Sequence, residues 1–331
     1  MAVRSALLSY QIGDIKSDDE IVNKIQDTLK TLCPEMKKIS VTDVNDGKIV
    51  IFGSKLALLN GSMRIYKSKK LVTLNLDECV ENDKSVVLTN HKVESIRKKL
   101  SAVLNEKIEK IPVIKRASAV PNYYVSSDDR ILEYDFEEMV FEGHSQYQHV
   151  KILKSPSLGN CLILDDLQNL AEADLSYTRG LMKYGEISYK DKEILILGGG
   201  DGGLLHELLK ENPKFVTLVD IDKMVIDSCS KHLRGACGKS LDNLKGVNYE
   251  VIVGDCIAYM EQYITANASF DFVFNDLTDI PICPGDSKAG DYLKSNDDEM
   301  WNFLKKILTL SFQLVRPNGR YLNHVMIKFT I

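Results

Sequence analysis

Residues 194–210, ILILGGGDGGLLHELLK, constrain the fold of this chain more than any other stretch of it. The uninterrupted apolar run reads as a strand buried on both faces, the glycines as a tight turn, and LLHELLK as a helix. Strand, glycine turn and helix make the opening unit of a parallel α/β sheet. Gly198, Gly200 and Gly203 also match the spacing G-x-G-x-x-G, which places a pyrophosphate on a helix N-terminus. Asp201 stands inside that turn, where it repels a phosphate and attracts an ammonium or sulfonium group.

The same alternation continues along the chain. From Ala173 onward helices alternate with buried strands expected at 194–197, 215–219, 249–253 and 270–275. The expected fold class is α/β, a Rossmann-like doubly wound parallel sheet of the methyltransferase type spanning 173–331, with its ligand at the carboxyl ends of the strands. A β-meander is expected over 119–172, where RILEYDFEEMVF, QHVKILKS, NCLILDD and LQNLAE are joined by turns. Residues 1–118 read as a separate N-terminal α+β domain, with amphipathic helices in DDEIVNKIQDTLKTL and KVESIRKKLSAVL around short strands. That domain offers no nucleophile with a base, no glycine loop and no metal cluster, so a scaffold for self-association is expected of it.

The strand ends of the sheet carry the chemistry. Asp201 follows the first strand, Asp220 and Asp222 the second, Asp255 and Cys256 the third, and Asp276 and Asp279 the fourth. An acid after the second strand accepts from both hydroxyls of a ribose, and Asp220 is placed for that role. Asp222 reads as the N-cap of the helix after it. Asp255 reads either as an N-cap or, with the backbone at Cys256, as a partner for an adenine edge. Cys256 itself reads as packed rather than reactive. Asp276 adds a second charge near Asp201, and such a pair can hold a polyamine while one member takes a proton from an ammonium. Asp174 and Tyr177, three apart on the helix before the first strand, can both face the crevice, although Asp174 also reads as a cap and Tyr177 as core. Gln148 is a further polar candidate.

Composition narrows the class. A net charge of −5 argues against a nucleic-acid partner and suits a cationic substrate. The seven cysteines are scattered, without C-x-x-C pairs or metal-ligand spacing, which points to a reducing compartment and to no metal. With no run long enough for a signal peptide or a membrane span, the chain is expected to be cytoplasmic and away from membranes.

GGGDGG, the acid after the second strand, GDC after the third and NDLTDIPI after the fourth together resemble the aminopropyltransferases, the spermidine and spermine synthases. Within that family, NDLT, YQHVKI, NLAEADLSYTR and the separate N-terminal domain are similar to the spermine-forming members. The resemblance implies decarboxylated S-adenosylmethionine as a co-substrate, no cofactor or metal, spermidine as acceptor, and spermine with 5′-methylthioadenosine as products. It implies Asp276 as catalytic acid/base with Asp201 beside it, and donor or product contacts from Gln148, Tyr177, Asp220, Asp255 and Cys256. It also implies Asp174 near the aminopropyl end, and a homodimer through an N-terminal domain similar to S-adenosylmethionine decarboxylase.

Two stretches depart from that pattern. Residues 281–298, rich in Gly, Ser and Asp, stand where the family has a mobile gate, and read as a lid or as an insertion. After Tyr321 the text LNHVMIKFTI lacks the further strands that supply an acceptor-site tyrosine and glutamate in the family. A truncated, inactive member acting as a dimerisation or regulatory subunit is therefore one alternative expectation. The other is a small-molecule methyltransferase using S-adenosylmethionine on the same sheet.

Overall fold

The structure is a computed structural model and describes residues 2–13, 17–54, 58–80, 86–118, 120–126, 130–277 and 297–323. The chain divides into two compact units, 1–122 and 123–331, so the division lies four residues beyond the expected 118.

The first unit holds β1 (Ala2–Gln11), α1 (Asp18–Lys30), β2 (Lys37–Val44), β3 (Gly47–Gly53), β4 (Leu59–Tyr66), β5 (Leu71–Val80), α2 (Asn90–Leu104), β6 (Glu109–Lys110) and β7 (Ile114–Arg116). Its sheet is antiparallel, in the order β2-β3-β4-β5-β1-β6, with β7 also pairing with β1. Alternate residues of β5, Val72, Leu74 and Leu76, join Ile21, Ile25 and Leu29 of α1 and Ile96 and Leu100 of α2 in one core. This is the two-period of a strand meeting the 3.6-period of helices on one sheet face. Two strands differ from the sequence reading. β1 is a full ten-residue strand where only a leader was considered, and β2, in which Ile39 and Val41 alternate with Ser40 and Thr42, is exposed along almost all its length.

The second unit begins with β8 (Tyr123–Val125) and β9 (Ile131–Glu133), then a four-stranded meander of β10 (Glu138–His144), β11 (His149–Ser155), β12 (Gly159–Leu164) and β13 (Leu167–Ala171). After α3 (Leu175–Leu181) come β14 (Glu193–Gly198), α4 (Gly203–Lys210), β15 (Phe215–Asp220), α5 (Lys223–His232), α6 (Arg234–Cys237), β16 (Tyr249–Val253), α7 (Cys256–Thr265), β17 (Phe270–Asp276), α8 (Asp297–Leu314) and β18 (Val315–Asn323). Strands β14 to β18 form one parallel sheet in the order β16-β15-β14-β17-β18. This is the Rossmann-like arrangement, and its strand order reverses between β14 and β17. Open sheets bind ligands at such a switch point, outside the carboxyl ends of the strands.

Both faces of the sheet are covered, which is why its strands are apolar throughout. Ile194 and Ile196 face a core shared with Leu205, Ile226 and the meander residues Val150, Ile152 and Leu162. Leu195 and Leu197 face the other core, with Met260 of α7 and Ile307 and Leu314 of α8. In β18 the pairing with β17 skips from Val315 to Arg320, and Asn318 takes a φ of 70°, so Arg316 to Gly319 form a bulge inside the strand. No helix among the described residues is long and apolar enough to cross a membrane. The expected lid lies outside the described residues except for Asp297 and Asp298, which begin α8. His324, the rest of the tail and Asp279 also lie outside them.

Candidate active site

Parallel pairing brings Gly198 at the end of β14 opposite Asp276 at the end of β17. The two backbones touch there: Gly198 has a φ of +79°, and a Cβ on it would lie 2.5 Å from the Asp276 carbonyl oxygen. Glycine at 198 is therefore required by both conformation and space. At Gly200 the constraint is space, because a Cβ would come within 2.7 Å of the Asp220 carboxylate.

The amides of the turn are already committed. Gly199 N donates to Asp276 O (3.1 Å), Gly202 N to Gly199 O (2.9 Å), Gly200 N to Asp220 Oδ2 (2.8 Å) and Gly203 N to Asp201 Oδ1 (2.7 Å). The N–H groups that would cradle a pyrophosphate instead serve two of the chain's own carboxylates, from Gly200 and Gly203, and two backbone carbonyls, from Gly199 and Gly202. The G-x-G-x-x-G spacing here builds a compact acidic turn, and the first amide of α4 is capped from within it.

Above this turn lies a cavity of about 150 Å³. Nine of the ten residues expected from sequence to bind substrate or act in catalysis line it: Gln148, Tyr177, Gly198, Gly200, Asp201, Asp220, Asp255, Cys256 and Asp276. The tenth, Asp174, is not among the lining residues. It stands at the N-cap position of α3, yet its side chain makes no capping bond; Oδ2 accepts instead from Ala171 N (2.8 Å) and Gln168 Nε2 (3.0 Å). Asp174 thus meets the cavity through Gln168, whose Oε1 accepts from Tyr134 OH at 3.2 Å.

Asp201, Asp220 and Asp276 lie deep in the protein while keeping part of their surface on the cavity. Burial raises the pKa of all three. Asp276 is pushed well above the ordinary carboxylate value by burial, and then by the charges of Asp201 and Asp220. Asp201 is raised by burial against the opposing bond from Gly203. Asp220 is raised to about 6 by burial, although the amides of Asp222 and Gly200 pull it down. Among the described residues none of the three is neutralised by a lysine, arginine or histidine. The cavity is an acid-lined, desolvated pocket in which no described cation balances the carboxylates, an environment that favours a cationic ligand.

Its other walls are mixed. Asp255 Oδ1 caps α7 by accepting from Ile257 N (2.9 Å), so Asp255 is both a cap and a cavity residue. Cys256 is buried, and burial pushes its thiol up to about 12, which leaves it a packing group. Tyr177 packs against the core as well as the cavity. Sequence reading missed Gln168, Asn169 and Leu170, three consecutive residues of β13 on the cavity. Strand alternation forbids three neighbours on one side, but the pairing of β13 with β12 skips Asn169, and this bulge turns the side chains. Leu162, Leu164 and Phe303 supply apolar wall. Among the described residues no group of three or more His, Cys, Asp or Glu could hold a metal.

Comparison with known proteins follows the same residues. The spermine/spermidine synthase domain model matches 174–319, and the model described as a spermidine synthase tetramerisation domain matches 123–172. A polyamine aminopropyltransferase of Pyrococcus abyssi is 32% identical over 157 residues, 46% of this chain and 54% of that protein. One from Aeropyrum pernix is 28% identical over 183 residues, 54% of this chain and 55% of that protein. The chain thus spans about half the length of the curated relatives it matches. A crystal structure of spermidine synthase from Thermotoga maritima superposes with a TM-score of 0.46 at 20% identity, over 62% of each chain.

Proposed function

We propose that this chain, whose residues 123–319 belong to the spermine/spermidine synthase family, transfers an aminopropyl group from decarboxylated S-adenosylmethionine to spermidine, giving spermine and 5′-methylthioadenosine. The observation that carries this reading is the convergence of Asp201, Asp220 and Asp276 on one cavity without a cation among the described residues. A sulfonium donor and a polyamine acceptor together supply the missing positive charge. No metal or other cofactor enters, and the nucleoside donor is a co-substrate.

In this reading Asp220 accepts from the ribose hydroxyls, and Asp255 with the backbone at Cys256 meets the adenine edge. Asp201 holds the aminopropyl and acceptor amines near Asp276, with Tyr177 along the aliphatic part. The acceptor must lose a proton before its nitrogen can attack. Its lone pair then forms the new C–N bond at the propyl carbon next to sulfur. The C–S bond breaks with its electron pair on sulfur, which leaves as the neutral thioether of methylthioadenosine. Asp276, whose carboxylate accepts no hydrogen bond from a described residue and whose pKa is raised, takes the proton. Bringing two cations together is opposed by their repulsion, and the acidic rim offsets it while fixing their orientation. The chain is proposed to work in the cytoplasm as a homodimer associated through residues 1–118.

Calorimetry tests the donor. Decarboxylated S-adenosylmethionine is expected to bind at least about tenfold more tightly than the intact molecule, whose carboxylate meets the acids. Equal or preferred binding of the intact molecule favours a methyltransferase and overturns this reading. Formation of spermidine from putrescine in place of spermine from spermidine overturns the acceptor assignment.

A further inference from the structure

Asp222 serves two structures at once. Its Oδ1 accepts from Met224 N (2.9 Å) and caps α5, as its position after β15 implies. Its Oδ2 reaches back to the meander and accepts from Ser145 Oγ (2.7 Å) and Gln148 Nε2 (2.9 Å). Asp222 is 2% exposed and Gln148 7%, and only Gln148 is on the cavity.

A carboxylate accepts hydrogen bonds and donates none, so the amide face turned to it has to be the NH₂. Gln148 is thereby fixed with Nε2 toward Asp222, and its Oε1 accepts no hydrogen bond from any described residue. The ring of contacts closes on the site: Asp222 N donates to Asp220 Oδ1 at 2.8 Å, so one loop sets both Asp220 and Gln148.

We propose that Asp222 is a positioning residue which fixes the polarity of Gln148, so that the cavity is offered a carbonyl acceptor rather than an NH₂ group. The ligand class is a cationic nucleoside, and the inference rests on the functional reading above. With the amide reversed, the positive end of its dipole would face the acid-lined cavity. With Asp222 in place, the carbonyl adds to the negative field of the three acids and accepts from an O–H or N–H of the nucleoside.

Asp222→Asn separates the two duties, because asparagine caps helices about as well as aspartate. With Oδ1 kept on Met224 N, the new Nδ2 faces Gln148 and turns its amide over. Methylthioadenosine is expected to bind about tenfold more weakly to this variant by calorimetry, with the melting temperature nearly kept. Adding Gln148→Glu in the same chain lets one carboxylate oxygen take the Nδ2 proton while the other faces the cavity. Binding is then expected to return to within about threefold of the unaltered chain. Unchanged affinity in Asp222→Asn overturns the proposal, as does a loss that the second substitution fails to recover. Failure of the unaltered chain to bind methylthioadenosine overturns the functional reading, and this inference with it.

Discussion

Asp276 and Asp220 are held in a state that costs the empty protein stability, and each carries its own prediction. Asp276 accepts no hydrogen bond from the described residues and is raised well above its ordinary pKa by burial and by two neighbouring acids. Asp276→Asn is therefore expected to lower turnover by about 100-fold or more while leaving the melting temperature unchanged or higher. A folded Asp276→Asn chain with comparable turnover removes the proposed base. Asp220 titrates near 6 in the folded chain against an ordinary 3.8. Between those values the folded state keeps a proton that the unfolded state has lost, so the contribution of this group to stability falls as pH rises from about 4 to about 6. The melting temperature of Asp220→Asn should fall less across that range than that of the unaltered chain, whatever its absolute value after losing one amide contact. An equally steep decline in both assigns the slope to other groups. The acids were legible in the sequence because each directly follows a buried strand, and strand ends share one rim. The second duty of Asp222 was not, since Gln148 lies 74 residues away and only the tertiary fold brings it to the carboxylate.

At the scale of elements, the glycine turn and the bulged strand shape the cavity. Gly200→Ala places a methyl 2.7 Å from the Asp220 carboxylate, whose movement is expected to weaken methylthioadenosine binding about tenfold or more. Unaffected binding would show that Asp220 can shift without consequence for the ligand. In the sheet, Leu197→Ala opens a cavity beside Met260 and Ile307 and should cost about 2–5 kcal/mol in denaturant unfolding. A cost below about 1 kcal/mol would mean that α7 and α8 collapse onto the gap. The parallel strands were readable because burial on both faces makes them continuously apolar. The Asn169 bulge was not, because LQNLAE carries no glycine to mark it and depends on the register with β12. Asp174 was misplaced for a similar reason: helical spacing put it beside Tyr177, but it lies ahead of the first turn of α3 and bonds back to β13.

For the whole molecule, the described residues that line the cavity all fall within 148–303, and the first unit has a core of its own drawn from 6–113. Residues 1–122 expressed alone are expected to give a cooperative unfolding transition, and a non-cooperative melt would make that core dependent on the rest of the chain. The sequence suggested three parts, 1–118, 119–172 and 173–331, whereas the structure groups the last two in one compact unit from 123 and adds β1, a ten-residue strand not expected from sequence. The central claim is that an acid-lined switch point binds two cations and joins them. It is tested most directly by incubating the purified chain with decarboxylated S-adenosylmethionine and spermidine and quantifying products by mass spectrometry. The account predicts spermine and methylthioadenosine in equal amounts, both lost in Asp276→Asn; a folded chain that binds methylthioadenosine yet forms neither product contradicts it.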